Sequence, residues 1–390
     1  MKTKFFIILM FLILTTGCYN YNELNTLAIA TGMSIDYKED EYVVNLLISN
    51  SKKAQASAIE GEAQSIVYEG KGKSISEALK EIDIISPKKI YIGHLSFIVV
   101  SKEISEKGLK DSLDYLIREP ESTKRFYLIV STEDDAKDVL QIVSPLESFP
   151  SQSISVAISF SKESQAVTSN IPYSSFIEKL IQKGIEPVLP SMQIKGDTEK
   201  GKSEEILQET SPKTFLKLSN LVLFKKDKLV HIANEDESNG INIVNDNIDE
   251  TLIKLTCKDG SINLKLSNVK TKKNVSLKDK PTVNINIKSD ASIQENNCNI
   301  DLEKEEEIKY IEKQAEKEVT RLTNESIFLA QKYKTDIFGF GNLFYKHYPK
   351  YFDKVNETWN DKEFLDLKIN INVKINLKEK GSLKSQIKEA

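Results

Sequence analysis

Apolar positions along the chain recur with two periods, and the change from one to the other marks the elements. "LAIATGMSID" and "YVVNLLIS" are strand-like runs around the acidic turn "YKEDE", and "QSIVYEG" is a third, closed by Gly70-Lys71-Gly72. In "SISEALKEIDII" the spacing shifts. Ile75, Ala78, Leu79 and Ile82 fall at i, i+3, i+4 and i+7, which predicts a helix with Ser74 or Ser76 as its cap. "KIYIGHLSFIVV" is one long buried strand or a pair. Ser101 opens a helix with a stripe of Leu109, Leu113, Leu116 and Ile117, ended at Pro120. "RFYLIVS" is a strand, and "TEDDAKDVLQIV" a helix capped by Thr132. Strands and helices alternating at this pace argue an α/β layer structure.

"SKESQAVTSNIPYSSFIEKLIQKG" is helical in part, broken at Pro172. "IEPVLPSMQIKG" is extended, and its two prolines argue against a central strand. Residues 196–212 are polar and aperiodic, as a boundary would be. Beyond them "FLKLSNLVLFKKDKLVHIA" reads as a hairpin, followed by the alternating strands "SINLKLS", "TVNINIK" and "LKININVKIN". In the last, Leu367, Ile369, Ile371, Val373 and Ile375 share a face, and Lys368, Asn370, Asn372 and Lys374 share the other. That is a sheet with one wet face, most simply antiparallel. A long helix from about Leu302 to Lys334 carries the stripe Ile308, Ile311, Ala315, Val319 and Leu322 and is expected to pack across this sheet. The fold class is therefore α+β and multi-domain. An N-terminal α/β module at 18–200 and a linker at 201–212 precede a mostly antiparallel C-terminal α+β domain at 213–390, with a subdomain break near 290–300.

The first residues change the picture of where this body sits. Lys2 and Lys4 precede ten unbroken apolar residues, Phe5 to Leu14. A membrane span needs about 20, whereas a signal-peptide core needs roughly 7–15. Thr15, Thr16 and Gly17 then lead to Cys18, which resembles a bacterial lipobox with Thr15 where Leu is usual. Residues 1–17 are read as a lipoprotein signal peptide and Cys18 as the acylated first residue. Removing two lysines moves the formal charge from −4 to −6. Such a mildly acidic surface, with 29 % charged residues of both signs, gives no basic excess for nucleic acid.

Candidate chemistry is sparse. Cys257 shares parity with Ile253 and Leu255, and Cys298 with Ile300, so each is either a small core residue or half of a disulfide that an exported location permits. "GDTEKGKS", Gly196 to Ser203, satisfies the phosphate-loop pattern G-x-x-x-x-G-K-S. It lacks the context: Pro187 and Pro190 interrupt the preceding strand, Asp197 and Glu199 lie within the loop, and Pro212 follows soon after. It is read as a charged linker. His94, His231 and His347 are scattered, and His94 is expected inside a strand. No catalytic constellation, metal set or cofactor motif is present, and direct small-molecule binding is not expected. In "TDIFGFGNLFYKHYP" the aromatics Phe338, Phe340, Phe344, Tyr345 and Tyr348 interleave with Gly339 and Gly341. They are read as a core plug joining helix to final sheet, with a glycine capping the long helix.

Four stretches, in order, resemble one family: "ELNTLAIATGMSID", "YIGHLSFIVVSKEISEKGLKDSLDYLIREPE", "LSNLVLFKKDKLVHIANEDESNG" and "TDIFGFGNLFYKHYPKYFDKVNETWND". The sequence is similar to the Ger(x)C family, the lipoprotein C subunits of spore nutrient-germinant receptors, from Cys18 to about Gly381. It departs at "YNYNEL" after the cysteine and at His231, where the family has Gly. The resemblance implies a non-enzymatic body with a family-specific multi-domain α/β fold, tethered at the outer leaflet of the spore inner membrane. It also implies two membrane-embedded receptor subunits as partners. A stand-alone solute-binding lipoprotein is the alternative, although that class usually shows two similar lobes and these halves differ. A surface hydrolase lacks its nucleophile motif.

Overall fold

The computed structural model describes residues 23–50, 63, 65–120, 122–144, 146–147, 150–164, 168–169, 171–258 and 260–379. Cys18 and the signal peptide lie outside the described residues.

The first sheet begins with the expected meander: β1 (Leu27–Lys38), β2 (Glu41–Ser49) and β3 (Ser65–Gly72), paired antiparallel. Helix α1 (Ile75–Ile85) buries Ile75, Ala78, Leu79 and Ile82, and Ser74 accepts the Glu77 N–H as its N-cap. "KIYIGHLSFIVV" is two short strands, β4 (Lys89–Tyr91) and β5 (Phe97–Val100), both parallel to β1. The helix after Ser101 is split into α2 (Lys102–Lys107) and α3 (Lys110–Arg118) at Gly108, whose φ of 131° no helix accommodates. Next come β6 (Tyr127–Ser131) and α4 (Ala136–Gln141). Asp135 rather than Thr132 caps α4, because Thr132 bonds the Met192 carbonyl instead. Helices α5 (Pro150–Ser164) and α6 (Tyr173–Ile181) flank the Pro172 break.

The proline-containing segment corrects the sequence reading. β7 (Val188–Lys195) lies inside the sheet, between β6 and β8 (Phe215–Lys225). β6 pairs with it only at Ser191 and Met192, and the register against β8 shifts between Pro190 and Met192. The missing N–H of Pro190 thus sits where the ladder is already interrupted. A single helical turn, α7 (Thr198–Gly201), follows β7. β9 (Lys228–Ile232) closes the hairpin, so residues 215–232 extend the first sheet to nine strands, ordered β3-β2-β1-β5-β6-β7-β8-β9 with β4 beside β1. The segment at 201–212 therefore connects neighbouring strands of one sheet.

Helix α8 (Glu235–Val244), closed by a capping box between Asn234 and Glu237, leads into the second sheet. There β10 (Glu250–Thr256), β11 (Ser261–Leu277) and β12 (Pro281–Asn296) are antiparallel. Helix α9 (Glu305–Lys332) then carries the chain back, so β13 (Lys368–Glu379) joins β12 in parallel, not antiparallel. Its alternation holds, and Asn370 and Asn372 donate to Asn284 and Asn286 on the polar face. The α9 stripe Ile311, Ala315, Val319 and Leu322 is buried. Glu312 and Glu316 accept the N–H groups of Leu377 and Ile375 at 2.8 and 3.3 Å, so the helix covers part of an otherwise open strand edge. Where α8 crosses α9, a Cβ on Gly240 would lie 2.1 Å from the Leu322 carbonyl oxygen.

Candidate functional site

Three N–H donors converge on the carboxylate of Asp336, just past α9. That helix ends with the Lys334 N–H on the Gln331 carbonyl and the Thr335 N–H on the Ala330 carbonyl. This is the Schellman closure, and its left-handed residue is Lys334, φ 53°, so neither Gly339 nor Gly341 caps the long helix as the sequence pattern predicts. The Lys334 ammonium lies 3.3 Å from Asp361. Thr335 then donates its hydroxyl to the Phe224 carbonyl in β8.

Asp336 is fully buried. Its carboxylate accepts the N–H groups of Phe340 at 3.1 Å and Gly341 at 2.7 Å, which open helix α10 (Phe340–His347), and the Trp359 indole N–H at 2.8 Å. Anionic oxygens at a helix N-terminus are favoured by the orphan N–H groups there. Burial nevertheless pushes the carboxyl above its ordinary range, against the three donors and the positive charge of Lys273. Lys273 on β11 donates to the Phe338 carbonyl at 2.8 Å and to Asn245 at 3.3 Å, and burial depresses its ammonium to about 8.

The backbone of Asp336 ties in a second carboxylate. Its carbonyl accepts the Glu186 N–H at 2.9 Å, and its N–H donates to Asn360 at 3.2 Å. Asn360 donates in turn to Glu186 at 2.7 Å, whose other oxygen accepts the Lys226 N–H at 2.6 Å in the β8–β9 turn. Asn342 completes the ring with bonds to the carbonyls of Gly184 and Lys183. Gly341 is required by proximity: a Cβ there would lie 2.6 Å from the Trp359 indole nitrogen. Around this hub Phe344 and Phe352 pack on Trp359 at ring distances of 5.5 and 5.3 Å, and Phe338 on Phe340 at 5.4 Å. The aromatics of "DIFGFGNLFYKHYP" are thus mostly interior: Phe338, Phe340 and Phe344 are buried, while Tyr345 is 38 % exposed.

The arrangement is a lock between the end of the first sheet and the second. Its polar groups hold one another, so it positions backbone rather than presenting a reactive atom. Sequence reasoning finds the aromatics and glycines but misses Asp336, Glu186, Lys273 and Asn360. The only local signal is an Asp four residues before the N-terminus of a helix, a common pattern.

The other candidates lie apart from this hub. Cys257 and Cys298 are joined as a disulfide, Cα atoms 6.2 Å apart, at the far end of β10 and β12. In the phosphate-loop pattern, Asp197 accepts the N–H groups of Glu199 and Lys200, which an anion would need, the single turn of α7 lies inside the motif, and only a short 3-10 helix, Glu204–Gln208, follows it. Lys202 is not free in a linker: it is 2.8 Å from Asp138 and 2.7 Å from Glu199. His94 is exposed in the turn between β4 and β5, against the Tyr91 ring, rather than inside a strand. His231 stacks on Tyr333 at 4.4 Å, and His347 is exposed. Among the described residues no group of three or more His, Cys, Asp or Glu side chains is placed to hold a metal, and no helix is long and apolar enough to cross a membrane.

The hub joins two halves that each match a known domain. Residues 20–194 match the spore germination protein N-terminal domain, and residues 219–381 match the spore germination B3/GerAC-like C-terminal domain. The chain belongs to the Ger(x)C family. It is 27 % identical to spore germination protein KC of Bacillus subtilis (strain 168), over 98 % of this chain and 96 % of that one. It is 26 % identical to spore germination protein B3 of the same organism, over 93 % and 94 % of the two chains. The crystal structure of the GerBC protein shares the fold, with a TM-score of 0.54 at 18 % identity over 92 % of this chain and 99 % of that one. Membership in Ger(x)C places the chain among spore germination proteins. Within the family pattern "DIFGFG" and the later Trp359, the physical content is now plain: an Asp caps a helix and holds an indole, and the second Gly leaves room for it.

Proposed function

We propose that this protein is the lipid-anchored C subunit of a nutrient germinant receptor, required for spores to germinate in response to small nutrients. The ordered match of both Ger(x)C domains along nearly the whole chain carries this reading. Cys18, behind its short apolar run, is the acylated N-terminus, and the body sits outside the spore inner membrane beside two membrane-embedded subunits. A single acyl chain binds reversibly, so firm anchoring needs the two or three chains that a lipoprotein cysteine carries. The body acts as a scaffold: anchoring raises its effective concentration near its partners toward mM, so a weak interface suffices. The closed, mutually bonded hub supports a positioning role.

The test joins chemistry to phenotype. Protein extracted from spore membranes is expected to yield an N-terminal peptide starting at a diacylated Cys18, and Cys18→Ala is expected to impair germination. An unmodified peptide spanning Gly17 and Cys18, with normal germination of the variant, overturns the reading.

A further inference from the structure

Two isoleucines at the end of α1 are turned to solvent: Ile84 is 75 % exposed and Ile85 55 % exposed. Pro87, Lys88 and Lys89 follow, all exposed. This knob adjoins the point where the described chain begins. β4 pairs parallel with the start of β1, matching Lys89 to Leu27, so the segment before β4 and the segment before β1 share one rim of the sheet. A shallow depression lined by Asn25, Thr26, Asp83, Pro87 and Lys88 joins them directly. Cys18 lies five residues before Glu23 in the sequence, a reach of at most about 17 Å.

From this juxtaposition we propose that the Ile84–Lys89 knob is a membrane-contact site, in which Ile84 and Ile85 enter the interfacial region of an anionic phospholipid bilayer. The inference rests on the anchored reading of Cys18 given above. A tether that short holds this rim, and no remote surface, within reach of the headgroups. Shallow insertion of a few apolar side chains, to about 5–10 Å, is how interfacial segments bind. The knob is too small for a protein interface, which needs roughly 1,000 Å². Lys80, Lys88 and Lys89 line this end, but Glu81 and Asp83 are exposed beside them, so the charges nearly balance. Contact therefore depends on the isoleucines, and the lysines add a modest preference for anionic lipid.

The chain has one tryptophan, Trp359, which is buried, so an added one reports its own surroundings. Full-length mature protein carrying Ile84→Trp is reconstituted into protein-free vesicles of phosphatidylcholine and phosphatidylglycerol containing brominated acyl chains. Quenching of about half of the added emission, with a shift to the blue, is expected. Leu252→Trp, at a 61 % exposed site on the second sheet, is expected to stay unquenched. The further change Ile85→Asp is expected to release the Trp at 84 from quenching. An Ile84→Trp emission that stays solvent-like while the protein floats with the vesicles overturns the proposal. So does a blue shift without quenching that appears only when the other receptor subunits are added, since the knob is then a protein contact. The mass of the N-terminal peptide reports the anchor separately: quenching without acylation keeps the knob and removes the anchored reading, and acylation without quenching does the reverse.

Discussion

Asp336 gathers three N–H donors onto one carboxylate, so small changes around it have large consequences. Trp359→Phe keeps a ring in the cluster but leaves an oxygen of Asp336 without its indole donor at 2.8 Å. A loss of about 1–3 kcal/mol is expected, and Gly341→Ala, which forces the indole to move, is expected to cost a similar amount. Urea unfolding of the full chain measures both. Asp36 makes the opposite kind of prediction. It is buried on β1 with one oxygen accepting the Ala136 N–H and the other without a partner, and burial raises its carboxyl from 3.8 to about 6. The folded state thus holds this proton more tightly than the unfolded chain does. Its contribution is full below about pH 4 and is lost as pH rises through 6, by up to about 3 kcal/mol. Asp36→Asn is expected to raise stability at pH 7 and to flatten the profile between pH 4 and 6. An unchanged profile would assign the slope to another group.

Among the elements, the two-sheet arrangement is stapled where its strands are long. The disulfide ties the end of β10 to the segment after β12, across a sequence separation of 41 residues. Closing a loop of that length removes roughly 3–4 kcal/mol of unfolded-state freedom in the chain-entropy view. Cys257→Ser with Cys298→Ser is expected to lower unfolding free energy by about 2–4 kcal/mol, and added reductant is expected to do nothing further to the double variant. Local breaks in pattern are accommodated by neighbours in the same way. Pro190 is tolerated in a central strand because its bulge and the short β6 pairing need no N–H there. Lys334 takes a left-handed position that favours glycine, where its ammonium meets Asp361.

At the level of the whole molecule, the hub sets how the halves are held. Glu186 comes from the loop before β7, Lys226 from the β8–β9 turn, Lys273 from the second sheet, and Asp336 and Asn360 from the segments around α10. Lys273 is the member that reaches in from the second sheet, so a movement of that sheet against the hub must break its bonds to the Phe338 carbonyl and Asn245. A scaffold needs no ligand in the cavity of about 500 Å³ lined by Tyr42, Lys73, Asp111, Asp114 and Arg118, whereas a nutrient sensor would bind its ligand at such a set of convergent polar groups. Titration calorimetry of the full chain with mM amino acids or sugars is therefore expected to show no saturable heat. Saturable, nutrient-specific binding would make this protein the sensor.

Much of this architecture is local in origin and legible in the amino-acid sequence alone. The strands β1 to β3, the Ser74 cap, the stripe of α9 and the alternation of β13 follow from side-chain period, which each segment carries by itself. The ordered Ger(x)C stretches are legible for a similar reason, being contiguous runs. Pairing is not. Nothing near residue 215 tells a hairpin to extend the first sheet, and nothing in "LKININVKIN" makes it parallel to β12, because a strand's pattern is the same in either direction. The hub is hidden most fully. Glu186, Lys273, Asp336 and Asn360 span 174 residues between the first and the last, and only burial, which takes their charges and N–H groups away from water at one place, makes them depend on one another.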